Sequence, residues 1–176
     1  MAPRIRLIQP TDDIALADLH ARNREFLAPW DPLRPDEYFT VAGQRTDIDA
    51  ALARHRAGEA VPFVVLDDDG EVAGRLTLSA IVRGAFQSCS MGYWLSQDRT
   101  GRGYATQAVN AAVDLAFTEL ALHRVQAATL VSNSASQNVL SRAGFERIGL
   151  APRYLRIAGR WQDHLLFQRV SGDAPT

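Results

Sequence analysis

The segment Leu95-Ser96-Gln97-Asp98-Arg99-Thr100-Gly101-Arg102-Gly103-Tyr104-Ala105-Thr106 carries the densest chemical signal in the chain. A strand pattern runs into a two-glycine loop that opens directly onto a long helical pattern. Glycines at such a place let consecutive backbone N–H groups converge on an anion at the helix N-terminus, where the helix dipole adds its attraction. Arg99 and Arg102 can pair with phosphate. A glycine-rich turn that merely starts a helix satisfies the same pattern. Two familiar phosphate loops are set aside. No Lys-Ser/Thr pair is present for a Walker loop. Thr106 stands where a dinucleotide fingerprint requires its third Gly or Ala, and the loop comes late rather than after the first strand.

Asn133 and Ser136 form a second small constellation, one after a strand and the other in the first turn of a helix. Helix capping alone accounts for one of the two. The remaining reactive residues read as structural. Cys89 sits mid-strand without a base partner, and His123 and His164 sit on strands as packing or capping histidines. Asp67-Asp68-Asp69-Gly70 reads as a solvated turn, because a calcium loop needs ligands out to a Glu at its twelfth position. One cysteine and four scattered histidines give no structural zinc set and no internal disulfide, so no metal is expected.

The elements that must position these residues follow from periodicity. Arg4–Ile8 alternates as a strand, and Thr11 can cap a helix that runs to about Leu27. Three prolines between Pro29 and Pro35 exclude regular helix there. A second helix is predicted over 41–57, ending at Gly58. Val61–Leu66, Val72–Val82 and Gln87–Ser96 read as three antiparallel strands, the first two joined by an Asp-Gly turn. From Gly103 the period is helical, with Ala105, Val109, Ala112, Val113, Ala116, Phe117 and Leu120 on one stripe. His123–Val131 is strand-like, a short helix over 135–143 stops at Gly144, and strands near Phe145–Ile148 and Leu155–Val170 close the chain. The order β-α-α-β-β-β-α-β-α-β-β predicts one mixed α/β domain over 1–170 with a tail at 171–176.

Composition agrees. A chain of 176 residues with 47% apolar and 22% charged residues makes one ordinary soluble domain. It buries roughly 70% of its unfolded surface, enough without staples. A net charge of −1 provides no basic field to recruit nucleic acid or anionic lipid. No apolar run approaches the roughly 20 residues of a membrane helix. Met1-Ala2-Pro3-Arg4 lacks a signal-peptide core, so the expected location is the cytoplasm.

Several of these segments, in their order, are shared with one family. Gly92-Tyr93-Trp94-Leu95, the loop 101–106, Leu122-His123-Arg124-Val125, Asn133–Leu140 and Gly144-Phe145 together resemble the GNAT acetyltransferase superfamily. Asn23–Trp30 and Tyr154–His164 are similar to its ribosomal-protein-alanine N-acetyltransferase group. The resemblance spans about Arg4 to Phe167. It implies a central, mostly antiparallel twisted sheet with a splayed strand pair and helices on both faces. It also implies acetyl-CoA as donor and CoA as product. The pyrophosphate would lie on the N–H groups of Gly101, Arg102, Gly103, Tyr104, Ala105 and Thr106. Pantetheine would pair with the free backbone of Trp94 and Leu95, as a strand added to an edge. Thr100 departs from the long polar residue that usually begins this loop, and Arg99 is the candidate substitute.

By the same resemblance Asn133 contacts pantetheine and Ser136 lies near the thioester sulfur. Leu140 occupies the place where most of the superfamily has a proton-donating Tyr, which leaves Ser136 as the candidate donor. Asn138 and Arg142 are candidates for the cofactor rim, and solvated helix positions explain them equally. Phe26, Leu27, Trp30, Tyr93 and Tyr154 are the acceptor-site candidates, with Trp30 facing Tyr154 and the Arg153–Trp161 hairpin across a groove. Core packing is an equal reading for Phe26 and Leu27.

No carboxylate stands out as a general base. A protein α-amine, with a pKa of about 7.7–8.0, is roughly one-tenth neutral at pH 7, whereas a Lys amine pays a handicap of roughly 4–5 kcal/mol. This favours an N-terminal α-amine of a protein or peptide as acceptor, attacked directly in a ternary complex. A small-molecule amine is the alternative, for which Glu25, Asp31, Asp36 and Glu37 could supply an acidic cleft. A non-catalytic acyl-CoA-binding module is a further one, and a dehydrogenase reading rests on G-x-G alone. A monomer and a homodimer both fit.

Overall fold

Residues 4–172 are described in this structure, a computed structural model. Residues 1–3 lie outside the described residues, as do 173–176 of the expected tail. Strand β1 (Ile5–Leu7) leads through a 3-10 turn into α1 (Asp13–Arg22), α2 (Arg24–Leu27) and α3 (Val41–Arg56). Strands β2 (Val61–Leu66), β3 (Val72–Val82) and β4 (Ser88–Leu95) precede α4 (Tyr104–Thr118). Then come β5 (Arg124–Leu130), α5 (Ser134–Arg142), β6 (Glu146–Ile157) and β7 (Arg160–Val170). Among the described residues these strands form one sheet in the order β1-β2-β3-β4-β5-β7-β6, antiparallel throughout except at β4–β5.

β2 is apolar at nearly every position because it is covered on both faces. Phe63 and Val65 join the core beneath α4, where Val109, Ala112, Val113 and Ala116 form the buried stripe. Val64 faces the other way, against Leu16 of α1 and Ile48 of α3. Helices therefore flank the sheet on both sides, as expected. Ala108 rather than Ala105 fills the buried face near the start of α4, and Ala105 is only half-buried.

Three local readings differ. Asp12, not Thr11, organises the entry to α1: its carboxylate accepts from the Gln9 N–H at 2.7 Å and from both Arg6 guanidinium nitrogens. The helix expected to reach Leu27 breaks at Asn23, whose φ of −106° and ψ of 12° leave the helical range. The strand expected near Phe145–Ile148 runs on to Ile157, and the stretch expected as one strand over Leu155–Val170 is divided by a two-residue turn at Ala158-Gly159, so that β7 begins only at Arg160. Gly149 and Pro152 obscured β6 because both fall at its two bulges, on an edge strand where such residues are tolerated.

The β3–β4 pairing holds the functional end of β4 in place. Gly74 lies opposite Leu95 so closely that a Cβ there would come within 2.2 Å of the Trp94 carbonyl oxygen. Gly74→Ala must push β4 away from β3. The substitution is expected to cost about 1–3 kcal/mol, read as a lower urea midpoint with unchanged slope; an unchanged midpoint would contradict this close approach.

Candidate active site

Hydrogen bonding between β4 and β5 runs from Ser88↔Arg124 to Met91↔Ala127 and goes no further. β4 continues to Leu95 along β3. Among the described residues, the edge of Gly92–Leu95 that faces β5 therefore has no ladder partner. Beside this gap lies a cavity of about 440 Å³. Tyr93, Trp94 and Leu95 line it from β4, and Asn133, Ser136, Asn138 and Arg142 line it from the α5 side. Phe26, Leu27, Trp30 and Asp31 close a further side.

The two-glycine loop forms another wall through Arg99, Thr100, Gly101 and Gly103, followed by Tyr104, Ala105 and Thr106 of α4. Gly101 and Gly103 have φ of 74° and 82°, the left-handed region that a side chain disfavours. Gly103 is the N-cap of α4 and carries no capping side chain, so the first N–H groups of the helix are not satisfied by a cap. Thr100 spends its hydroxyl locally, donating to the Gln97 carbonyl at 2.7 Å. Arg99 is held between Asp67 and Asp98, each at 3.0 Å. Arg102 is exposed and lies outside the cavity lining.

Two anchors that the sequence reading missed keep this loop in register. Asp67, read as a solvated turn residue, is buried and accepts from the N–H groups of Asp69 and Glu71 as well as from Arg99. Asn23, at the break between α1 and α2, is also buried. Its amide nitrogen donates to Ser96 Oγ at 2.9 Å, and its carbonyl accepts from the Gln97 N–H at 2.8 Å. The helix break is thus the device that joins α1 to the corner where β4 becomes the loop. Its sequence signals were an Asn within an otherwise helical run and its place at the head of the Asn23–Trp30 segment.

Across the gap, Asn133 caps α5 by accepting from the Ser136 N–H at 3.0 Å. Ser136 Oγ lies 2.9 Å from the Tyr93 hydroxyl, which also donates to the Ser136 carbonyl at 3.2 Å. Burial pushes the Tyr93 phenol up to about 12, partly offset by the hydrogen bond to Ser136. Leu140 is fully buried in the main core. The phenol beside Ser136 comes instead from β4, a pairing that strand periodicity cannot show.

Tyr154 is placed elsewhere. It lines a separate hollow of about 300 Å³ with Ser90, Gly92, Gln126 and Ala128, its ring 5.8 Å from that of His164. The proline-rich loop and the β6–β7 turn nevertheless meet, because the Ala158 N–H donates to the Asp31 carbonyl at 2.9 Å. Of the four acids weighed for an acidic cleft, only Asp31 lines the cavity. Asp36 pairs with Arg24 at 2.5 Å, and Glu25 and Glu37 are exposed. Cys89 is buried, and its thiol is pushed up to about 12 by burial. Among the described residues no cluster of three or more His, Cys, Asp or Glu could hold a metal. No described helix is long and apolar enough to cross a membrane.

The family described as "Acetyltransferase (GNAT) domain" matches residues 4–146. The [ribosomal protein uS5]-alanine N-acetyltransferase of Escherichia coli (strain K12) is 36% identical over 170 residues, covering 96% of this chain and 88% of that one. The ribosomal-protein-S5-alanine acetyltransferase of Vibrio fischeri superposes with a TM-score of 0.90 at 35% identity, over 96% and 93% of the two chains. RimJ from Mycobacterium smegmatis, in complex with CoA-disulfide, gives 0.91 at 34% identity over 95% and 81%. The chain belongs to the GNAT acetyltransferase family and is an N-acetyltransferase of that type.

His20 supports the site from below, its ring 4.4 Å from that of Trp94 and its side chain buried. Burial, with Arg75 adding to it, lowers its pKa to about 4, so the imidazole is neutral in the fold. The unfolded chain binds that proton near pH 6.5. The stabilisation is complete above pH 6.5 and is lost as pH falls towards 4, a loss of about 3 kcal/mol. Urea midpoints followed over that range should fall less steeply for His20→Phe than for the wild type; parallel slopes would contradict the assignment.

Proposed function

We propose that this chain acetylates the N-terminal α-amine of a protein or peptide, with a ribosomal protein as the acceptor class, in a ternary complex with acetyl-CoA. The observation that carries the reading is a single cavity in which the unpaired β4 edge, the uncapped start of α4 and the Ser136–Tyr93 pair converge. The named activities of the relatives from Escherichia coli and Vibrio fischeri support the acceptor class. These residues fit the donor: free strand N–H and C=O groups suit an amide-bearing chain, and left-handed glycines at an open helix N-terminus suit a pyrophosphate.

Acetyl-CoA, when bound, supplies an activated acyl group on a thiol leaving group of pKa about 8.5. Gly101, Gly103, Tyr104, Ala105 and Thr106 offer backbone N–H groups to its phosphates, and Arg102 at the exposed loop tip adds positive charge nearby. Trp94 and Leu95 present their backbone to the pantetheine arm, with Asn133, Asn138 and Arg142 along the opposite wall. Arg99, already neutralised by Asp67 and Asp98, shapes the loop more than it binds. Strand and loop N–H groups would stabilise the negative charge that attack on the thioester places on its carbonyl oxygen.

Ser136 holds the proton that the departing sulfur needs. Tyr93 stays protonated at neutral pH and hydrogen-bonds Ser136, so the two hydroxyls act as one donor. Phe26, Leu27 and Trp30 form the apolar side of the acceptor approach, whereas Tyr154 lines the separate hollow. The site and its relatives fit a cytoplasmic enzyme.

Two measurements test this reading. Calorimetry should show micromolar binding of acetyl-CoA and none of NAD; the absence of acetyl-CoA binding would overturn it. Ala-starting peptides should then be acetylated while N-blocked controls are not, and transfer to small amines alone would overturn the acceptor class. Ser136→Ala should lower kcat roughly 10- to 100-fold while acetyl-CoA affinity changes by about twofold at most. Tyr93→Phe should act in the same direction by a smaller factor. Equal losses in binding and turnover would assign both residues to packing.

A further inference from the structure

Among the described residues that line the cavity, Asp31 is the only carboxylate. Its backbone is pinned from two elements. The Asp31 N–H donates to the Leu27 carbonyl at the end of α2, at 3.1 Å, and its carbonyl accepts from Ala158 of the β6–β7 turn. Leu33 presses on the same turn so tightly that a Cβ at Gly159 would come within 2.9 Å of Leu33 Cδ1. The half-buried carboxylate itself makes no hydrogen bond or ion pair with any described residue. Asp12, Asp13, Asp36, Asp47, Asp67 and Asp98 are all held by arginines. A partly desolvated carboxylate without a partner is unfavourable by itself and is stabilised by a cation that reaches it.

We propose that Asp31 receives the acceptor: it docks the cationic amine in the cavity and takes the ammonium proton before attack. One N–H bond of the ammonium breaks, its electron pair stays on nitrogen, and an O–H bond forms on the carboxyl, which then returns the proton to water. Burial raises the carboxyl pKa, with Arg34 partly opposing it, which makes Asp31 a stronger base than an exposed acid. The other ionisable side chains near it are guanidiniums, which carry no acceptor, and phenols: Arg34 on its own loop, Arg99 and Arg142 across the cavity, Tyr93 and Tyr104, and Arg156 near the end of β6, which donates to the Gly159 carbonyl.

The inference rests on the acetyltransferase reading, and takes from it only the identity of the amine. Wild type, Asp31→Asn and Asp31→Glu are assayed with acetyl-CoA on an Ala-starting peptide and on spermidine, from pH 6.5 to 9.5. Calorimetry with acetyl-CoA and thermal melting accompany each variant. On the peptide, Asp31→Asn should lower kcat/KM roughly 10- to 100-fold at pH 7. The ratio of wild type to variant should fall to within about twofold near pH 9, with its midpoint at the α-amine pKa of about 8, because a neutral amine needs neither partner nor base. Acetyl-CoA affinity should be unchanged, and Asp31→Glu should recover part of the activity at pH 7.

A ratio near one at pH 7, or a deficit that persists unchanged to pH 9.5 on the peptide, overturns the role of Asp31. Acetylation of spermidine but not the peptide overturns the α-amine reading while the ratio at pH 7 still decides Asp31. Transfer to neither amine overturns both.

Discussion

Among the described residues β4 and β5 are the one parallel pair in the sheet, and they separate after four residue pairs. Parallel pairing is slightly less stable per residue than antiparallel pairing, so this is where the sheet opens at least cost. Each strand keeps its other neighbour: β4 stays on β3 as far as Leu95, and β5 stays on β7 as far as Leu130. The opening is therefore framed by a paired strand on each side. It leaves unpaired peptide groups at the centre of the sheet rather than at its rim, and the cavity, the loop and the Tyr93–Ser136 contact are all arranged around it.

Holding the opening at fixed geometry falls to buried polar groups rather than to the apolar core. Asn23 satisfies Ser96 and Gln97 at one side of the loop, and Asp67 takes Arg99 at the other. Each replaces hydrogen bonds to water with several internal ones, which fixes position because a buried polar group left unpaired is costly. The proline-rich loop is tied down in the same way, through Asp31 to α2 and to the β6–β7 turn. Loop segments thus bear the site while strands and helices supply the frame.

What the sequence disclosed depended on whether the signal was local. The strands of the first hairpins, the stripe of α4 and the glycines at 101 and 103 were legible because period and backbone conformation are properties of neighbouring residues. Ser136 was legible through its place after Asn133. The pairing of Ser136 with Tyr93 was not, because 43 residues separate them and the contact exists only once β4 and β5 part. The burial of Asn23 and Asp67 was not legible, since nothing local distinguishes a solvated Asn or Asp from one buried against a distant N–H. Tyr154 falls between Ala151 and Leu155, where the β6–β7 register shifts, and such a shift leaves no mark in the sequence pattern.

On the proposed reading, the open edge of β4 and the start of α4 together receive acetyl-CoA. Amide hydrogen exchange, read residue by residue with and without saturating acetyl-CoA, tests it most directly. The account predicts slowed exchange within Gly92–Leu95 and Gly101–Thr106, with little change along the paired stretch Ser88–Met91. Protection confined to other segments, with both of these unchanged while acetyl-CoA is bound, would contradict it.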